Sequence, residues 1–390
     1  MNKIELGLPI FLLGTIIAGM KMTPPVQKLT PPQAQKIPKD VTVHHDTRID
    51  DYYWLKERDT QPVLDYLKAE NDYTFAKMKH TELLQKTLYN EMRGRIKEDD
   101  TTVPYKFGNY MYYTRTEENL QYDIYCRKLG NSSGDEEITL NMNEMAKKHD
   151  YIDLSAYKIS PNEKLLALTI DTSGAELHKL IIKDIKTGEI LDNHLSNLDG
   201  SVEWANDNKT LFYTVLDKAN RSYQLWRHEL GSEQSDDVLV FQEDDDRFSV
   251  GLHRTKSGEF LKMDLESQIT TEVYLLDRND PFGEWKLVQP REQGVEYYVY
   301  HHGNYLYQIT NKDAINFKMI RRTLKGGKED EIIPNRDKTT LDDVSMFKNH
   351  MAVLERVNGN LEIRLFNFED ESWYKIEMNE DIYSLTFEEN

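Results

Sequence analysis

Gly130, Asn131, Ser132, Ser133 and Gly134 spell G-x-S-x-G, the spacing that lifts a nucleophilic serine onto a sharp strand-to-helix turn in α/β-hydrolases. That chemistry also needs a buried parallel strand before the serine, a helix after it, and an acid and then a histidine further along. Here "CRKLG" precedes and "DEEITL" follows, so the five residues read as a loop of turn formers between strands. Cys126 lies in the alternating "YDIYCRK" with no histidine-bearing motif beside it, and reads as a small core or surface thiol. His44 with His45 and His301 with His302 are adjacent pairs. Neighbouring strand residues face opposite ways, so neither pair can chelate one ion from a strand. The acid runs Asp244, Asp245, Asp246 and Glu369, Asp370, Glu371 lack the spacing of a calcium loop and read as solvated turns. No Walker loop, dinucleotide glycine motif or H-E-x-x-H is present. No catalytic, cofactor-binding or metal-binding residue is therefore assigned, and no cofactor is expected.

Acidic residues outnumber basic ones by 68 to 49 in the 390-residue chain, a formal charge of -19. Such a surface repels nucleic acid and anionic membranes and draws cationic ligands. Apolar residues at 38% and 23 tyrosines supply enough buriable surface to exclude intrinsic disorder. A single cysteine excludes an internal disulfide framework. Residues 1–20 contain the apolar run "LGLPIFLLGTIIAGM", too short for a bilayer span and suited to a signal-peptide core, so export and no integral membrane domain are expected. The alternatives are an uncleaved apolar N-terminus or a start at Met20 or Met22 in a cytoplasmic protein. Residues 21–39 carry five prolines and read as an extended linker or strap.

The elements follow from periodicity. Within residues 40–100, Val63, Leu64 and Leu67 after Pro62, then Leu84, Leu88, Met92 and Ile96, have helical spacing. Two amphipathic helices are expected between Thr60 and Lys97, and a hairpin of two helices cannot bury its own stripes. Over residues 101–390 the texture changes to short alternating strands with Gly, Asn and Asp turns. Met111, Leu166, Leu211, Leu261, Leu306 and Met351 take equivalent positions after a polar turn. A period of about 40 to 50 residues with four strands per unit predicts β-propeller blades, whereas a β-sandwich lacks a fixed repeat of that length. The predicted fold is mainly β: six blades of a seven-bladed propeller, with "DIYSLTFEEN" as the start of the seventh, preceded by a helical segment. The last sheet edge would be open, so the C-terminus reads as a cut.

"KIPKDVTVHHDTRIDDYYWLKE" from Lys36, "LKAENDYT" from Leu67, "RIKEDDTTVPY" from Arg95, "YMYYTR" from Tyr110 and "SVEWANDNKTLFY" from Ser201 resemble the oligopeptidase B branch of the prolyl oligopeptidase family. The resemblance implies a propeller that caps an α/β-hydrolase domain, helices that pack on that domain, and hydrolysis of oligopeptides after Arg or Lys. It implies a Ser, Asp, His triad on the hydrolase domain, and no residue of this chain matches those positions. The propeller would then admit oligopeptides, exclude folded proteins and close over the site. Two readings stay open: the lid portion of a serine oligopeptidase, inactive alone, with its hydrolase domain in cis or in trans; or a stand-alone propeller that binds basic peptides or a protein partner.

Overall fold

The six repeat anchors occupy one structural position. Met111, Leu166, Leu211, Leu261, Leu306 and Met351 are each the second residue of the second strand of a four-stranded antiparallel sheet. The computed structural model describes residues 29–130, 134–380 and 382–387, so the apolar segment at 1–20 and Ser132 lie outside the described residues. The sheets are consecutive in sequence: blade I spans 105–141, II 153–192, III 198–242, IV 249–289, V 297–333 and VI 339–375. Within each blade every strand pairs with its sequence neighbour, the meander of a propeller.

Turn chemistry sets the register. Three residues before the anchor the backbone is left-handed in the first five blades, at Gly108, Glu163, Asn208, Gly258 and Gly303. A positive φ there turns the first strand back on the second in the hand that strand twist favours. Five of the anchors, all but Met111, are buried in cores formed by strands of neighbouring blades. Ala156, Leu180 and Ile182 of blade II pack with Val202, Trp204, Leu211 and Tyr213 of blade III. Comparable apolar clusters join I to II, III to IV and V to VI. Polar staples reinforce them: Trp204 Nε1 donates to the Lys158 carbonyl at 2.9 Å, and Arg278 Nε donates to the Trp204 carbonyl at 3.0 Å.

The chain divides into two units at Lys97/Glu98. The first contains a hairpin of β1 (Lys39–Val43) and β2 (Asp46–Asp50), then α1 (Gln61–Met78) and α2 (Glu82–Arg93). The hairpin has no counterpart in the sequence reading, because nearly every residue of it is exposed and no alternating pattern marks it. Pro62 sits in the first turn of α1 as its fixed φ allows. Leu84, Leu88 and Met92 lie along α2 and are all exposed. The helix stops at Arg93 before Gly94, a poor helix former, so Ile96 falls outside the stripe on which its spacing placed it.

After Lys375 no further strand is present among the described residues. "DIYSLTFEEN" therefore has no strand ladder in its described part, since a strand exists only where its backbone groups find a partner. Among the described residues no helix is long and apolar enough to cross a membrane.

Candidate functional site

The first strands of the blades are the innermost. That of blade III (Leu198–Trp204) lies against those of blade II (Asp153–Ile159) and blade IV (Ser249–Arg254), and that of blade VI (Thr339–Met346) against that of blade V (Tyr297–His302). The blades of a propeller surround a central channel, and the polar groups on these first strands, with those on the second strand of blade IV (Phe260–Glu266), are the candidate site.

This set is ionic and mostly self-paired. Lys158 Nζ lies 2.6 Å from Glu203 Oε1, linking blades II and III. Lys262 Nζ is 3.1 Å and His253 Nε2 3.7 Å from Asp264 Oδ2 in blade IV. Tyr300 donates to Asp343 Oδ1 at 3.0 Å, linking V and VI. Burial holds the pKa of His253 below the ordinary value against the pull of Asp264. Burial also raises the pKa of Glu266, helped by the nearby charges of Asp264 and Glu296. These carboxylates can hold ammonium or guanidinium groups.

Two contacts run as chords across the ring. The Arg254 guanidinium of blade IV lies 5.1 Å from the centre of the Phe107 ring of blade I. Lys256 Nζ, also of blade IV, donates to Ser345 Oγ of blade VI at 2.8 Å and sits 3.9 Å from the Phe347 ring centre. Both lie at the end where first strands turn into second strands.

The residues singled out from sequence are not brought together. Gly130 and Gly134 lie between two antiparallel strands, Ile124–Leu129 and Glu136–Asn141, so Gly134 leads into a strand of the blade meander where an elbow needs a helix. Cys126 is 1% exposed, and burial pushes its thiol up to about 11, which makes it an inert core thiol. His44 and His45 occupy the tip of the β1–β2 turn with φ of 52° and 66°, rather than a strand as expected. His301 is buried, whereas the adjacent His302 stacks on Phe368 at 3.8 Å. Asp245 is held down to about 2 by the Arg247 side chain and amide, and Asp370 accepts from Ser372.

Two arrangements carried no sequence signal, because their members meet only through the fold. His301 Nε2 donates to the Gly303 carbonyl at 2.8 Å, so Nδ1 accepts from Ser257 Oγ at 2.8 Å. A carbonyl replaces the carboxylate that would orient a catalytic base, and the hydroxyl also meets Thr255 Oγ1, so the pair staples blades IV and V. The fully buried His228 ring lies between Asp237 Oδ1 at 2.7 Å and Asp192 Oδ2 at 3.0 Å, joining blades II and III.

The chain matches the family model described as prolyl oligopeptidase, N-terminal beta-propeller domain, over residues 32–388. It is 32% identical to Protease 2 of Moraxella lacunata over 91% of this chain and 52% of that protein. It is 31% identical to dipeptidyl aminopeptidase BI of Pseudoxanthomonas mexicana over 98% of this chain and 56% of that one. Among solved structures, oligopeptidase B from Leishmania major superposes with a TM-score of 0.85 at 28% identity, covering 91% of this chain and 54% of its own. Oligopeptidase B from Trypanosoma brucei, solved in a closed form with covalently bound antipain, gives 0.83 at 28% identity, covering 90% and 54%. The chain spans about half the length of the curated relatives it matches. Its six meandering blades and the match from residue 32 to residue 388 place it together: this chain belongs to the prolyl oligopeptidase family and carries its N-terminal β-propeller.

Proposed function

We propose that this chain is the propeller and N-terminal helical portion of a serine oligopeptidase that cleaves oligopeptides after Arg or Lys. The observation that carries the reading is the family match over residues 32–388. An α/β-hydrolase domain, in cis or in trans, supplies the nucleophile, and no triad residue is assigned to this chain. The propeller gates access by size, and its axial carboxylates favour cationic peptides over anionic ones. The exposed Leu84, Leu88 and Met92 of α2 suit burial against that second domain. The apolar segment at residues 1–20 directs export.

The test uses native protein, captured with an antibody to residues 40–97 from fractionated cells. Expected is a polypeptide about twice the length of this chain, outside the cytoplasmic fraction. It should cleave fluorogenic peptides with Arg or Lys before the scissile bond and be silenced by a serine-directed phosphonate. A species of this chain's own size that binds basic peptides without turnover would replace the peptidase reading with a stand-alone binding module. Turnover with no preference for Arg or Lys would remove the specificity.

A further inference from the structure

Blades IV and V meet differently from their neighbours. Their buried apolar core is five residues, Val273, Leu275, Tyr297, Val299 and Leu306, against ten in each of the II–III, III–IV and V–VI clusters. Where the rest of a core would lie there is a cleft of about 570 Å³, within the range of small-molecule sites. Its floor is apolar, made by Phe260, Leu275, Val288 and Leu306. At its rim Leu287 and Leu324 are 42% and 41% exposed, leaving apolar surface open to a ligand.

The two walls carry opposite net charge. Blade IV contributes three carboxylates, Asp277 at the end of its third strand and Asp280 and Glu284 from the loop after it, against one cation, Lys286, at the start of its fourth strand. That loop folds tightly, since a Cβ on Gly283 would stand 2.7 Å from Asp280 Oδ2. Blade V contributes Arg322 and Lys325 from the end of its third strand and the turn beyond. Arg322 is fixed across the interface, with Nη2 donating to the Val288 carbonyl at 2.7 Å and Nη1 3.9 Å from Glu329. Asp280, Glu284 and Lys325 hold no ion pair among the described residues. An apolar floor between an anionic and a cationic wall rejects a fatty acid on one side and a simple amine on the other. It matches a zwitterion with a large apolar side chain.

We propose that the cleft between blades IV and V binds short peptides of two or three residues with both termini free. An apolar side chain lies on the Phe260–Leu306 floor, the carboxylate meets Arg322 and Lys325, and the ammonium meets Asp280 and Glu284. The site is independent of the axial channel and of any catalytic domain, so loss of the peptidase reading leaves it standing.

Isothermal titration of the full chain with Leu-Leu, N-acetyl-Leu-Leu and Leu-Leu amide tests it. Leu-Leu should bind saturably, and each blocked peptide about tenfold more weakly, because each lacks one charge-assisted contact. Leu324→Trp, at an exposed position, should fill the cleft, and Lys325→Glu should reverse one wall; each should weaken Leu-Leu at least about tenfold while the thermal melt stays unchanged. No saturable heat at tens of millimolar Leu-Leu overturns the proposal. So does equal affinity for all three peptides, or binding that survives both substitutions, which would put the ligand elsewhere.

Discussion

His228 shows how one buried residue couples two blades. Burial disfavours the charged ring, but hydrogen bonds to Asp237 and then Asp192 outweigh it and raise its pKa above the ordinary value. Both carboxylates have further donors: Tyr213 Oη reaches Asp237 Oδ2 at 2.7 Å, and the Gly231 amide reaches Asp192 Oδ2 at 2.8 Å. Only the imidazolium can donate to both acids at once. A folded pKa above the unfolded one gives stabilisation that is complete below about pH 6.5 and is lost as pH rises through the folded value. His228→Gln should therefore destabilise the protein by about 3–5 kcal/mol, since it leaves buried carboxylates without their cation. The wild-type denaturation midpoint should fall as pH rises from about 6 to 9, and in the variant this slope should flatten. An unchanged slope would assign the pH response to other groups. None of this was legible in the sequence, where Asp192, His228 and Asp237 look like three unrelated polar residues on separate strands or loops. The residues that did stand out, Ser132, Cys126 and the histidine pairs, did so through short local patterns, and local patterns say nothing about what the fold brings together.

At the scale of elements, the blade repeat was legible because five of the six second strands bury the same position and five of the six follow the same left-handed turn, so periodicity and turn chemistry agree. Met111 and Leu306 reveal themselves through the Gly-Asn turns before them, and Leu166 and Leu211 through Asn-bearing turns. The β1–β2 hairpin left no trace because its strands bury almost nothing, and burial is what writes alternation into a strand. The same turns explain how neighbouring blades are tied. Glu163, at the left-handed position of blade II, receives the Asn109 amide at 2.6 Å and the Asn109 Nδ2 at 2.7 Å from the turn of blade I. Gly108 permits the approach: its φ is +56°, and an added Cβ would stand 2.3 Å from Glu163 Oε1. Gly108→Ala should therefore cost about 1–3 kcal/mol through backbone strain and displacement of that carboxylate. Gly130→Ala, with positive φ but open space around it, should cost about 1 kcal/mol at most, so urea midpoints of the two variants separate the close contact from the backbone term.

For the molecule as a whole, stability is a chain of nearest-neighbour interfaces, as in repeat proteins, supplemented by the chords from Arg254 to Phe107 and from Lys256 to Ser345. Such an assembly opens first where a link is weakest. Apolar burial and packing density fix the strength of each link, and the IV–V interface has half the buried core of its neighbours beside an open cleft. The Ser257–His301 staple spans the same interface at its turn end and limits opening there. Native-state hydrogen exchange should therefore find the third strand of blade IV (Thr271–Asp277) and the first strand of blade V less protected than the second strands of blades III (Thr210–Leu216) and VI (His350–Val357), by about tenfold or more. His301→Ala should widen that difference by removing the staple, whereas a Leu306 substitution would confound it by enlarging the cavity. Uniform protection across all six blades would instead mean that the propeller opens as one cooperative unit, with the chords across the axis carrying more of its stability than the cores between blades.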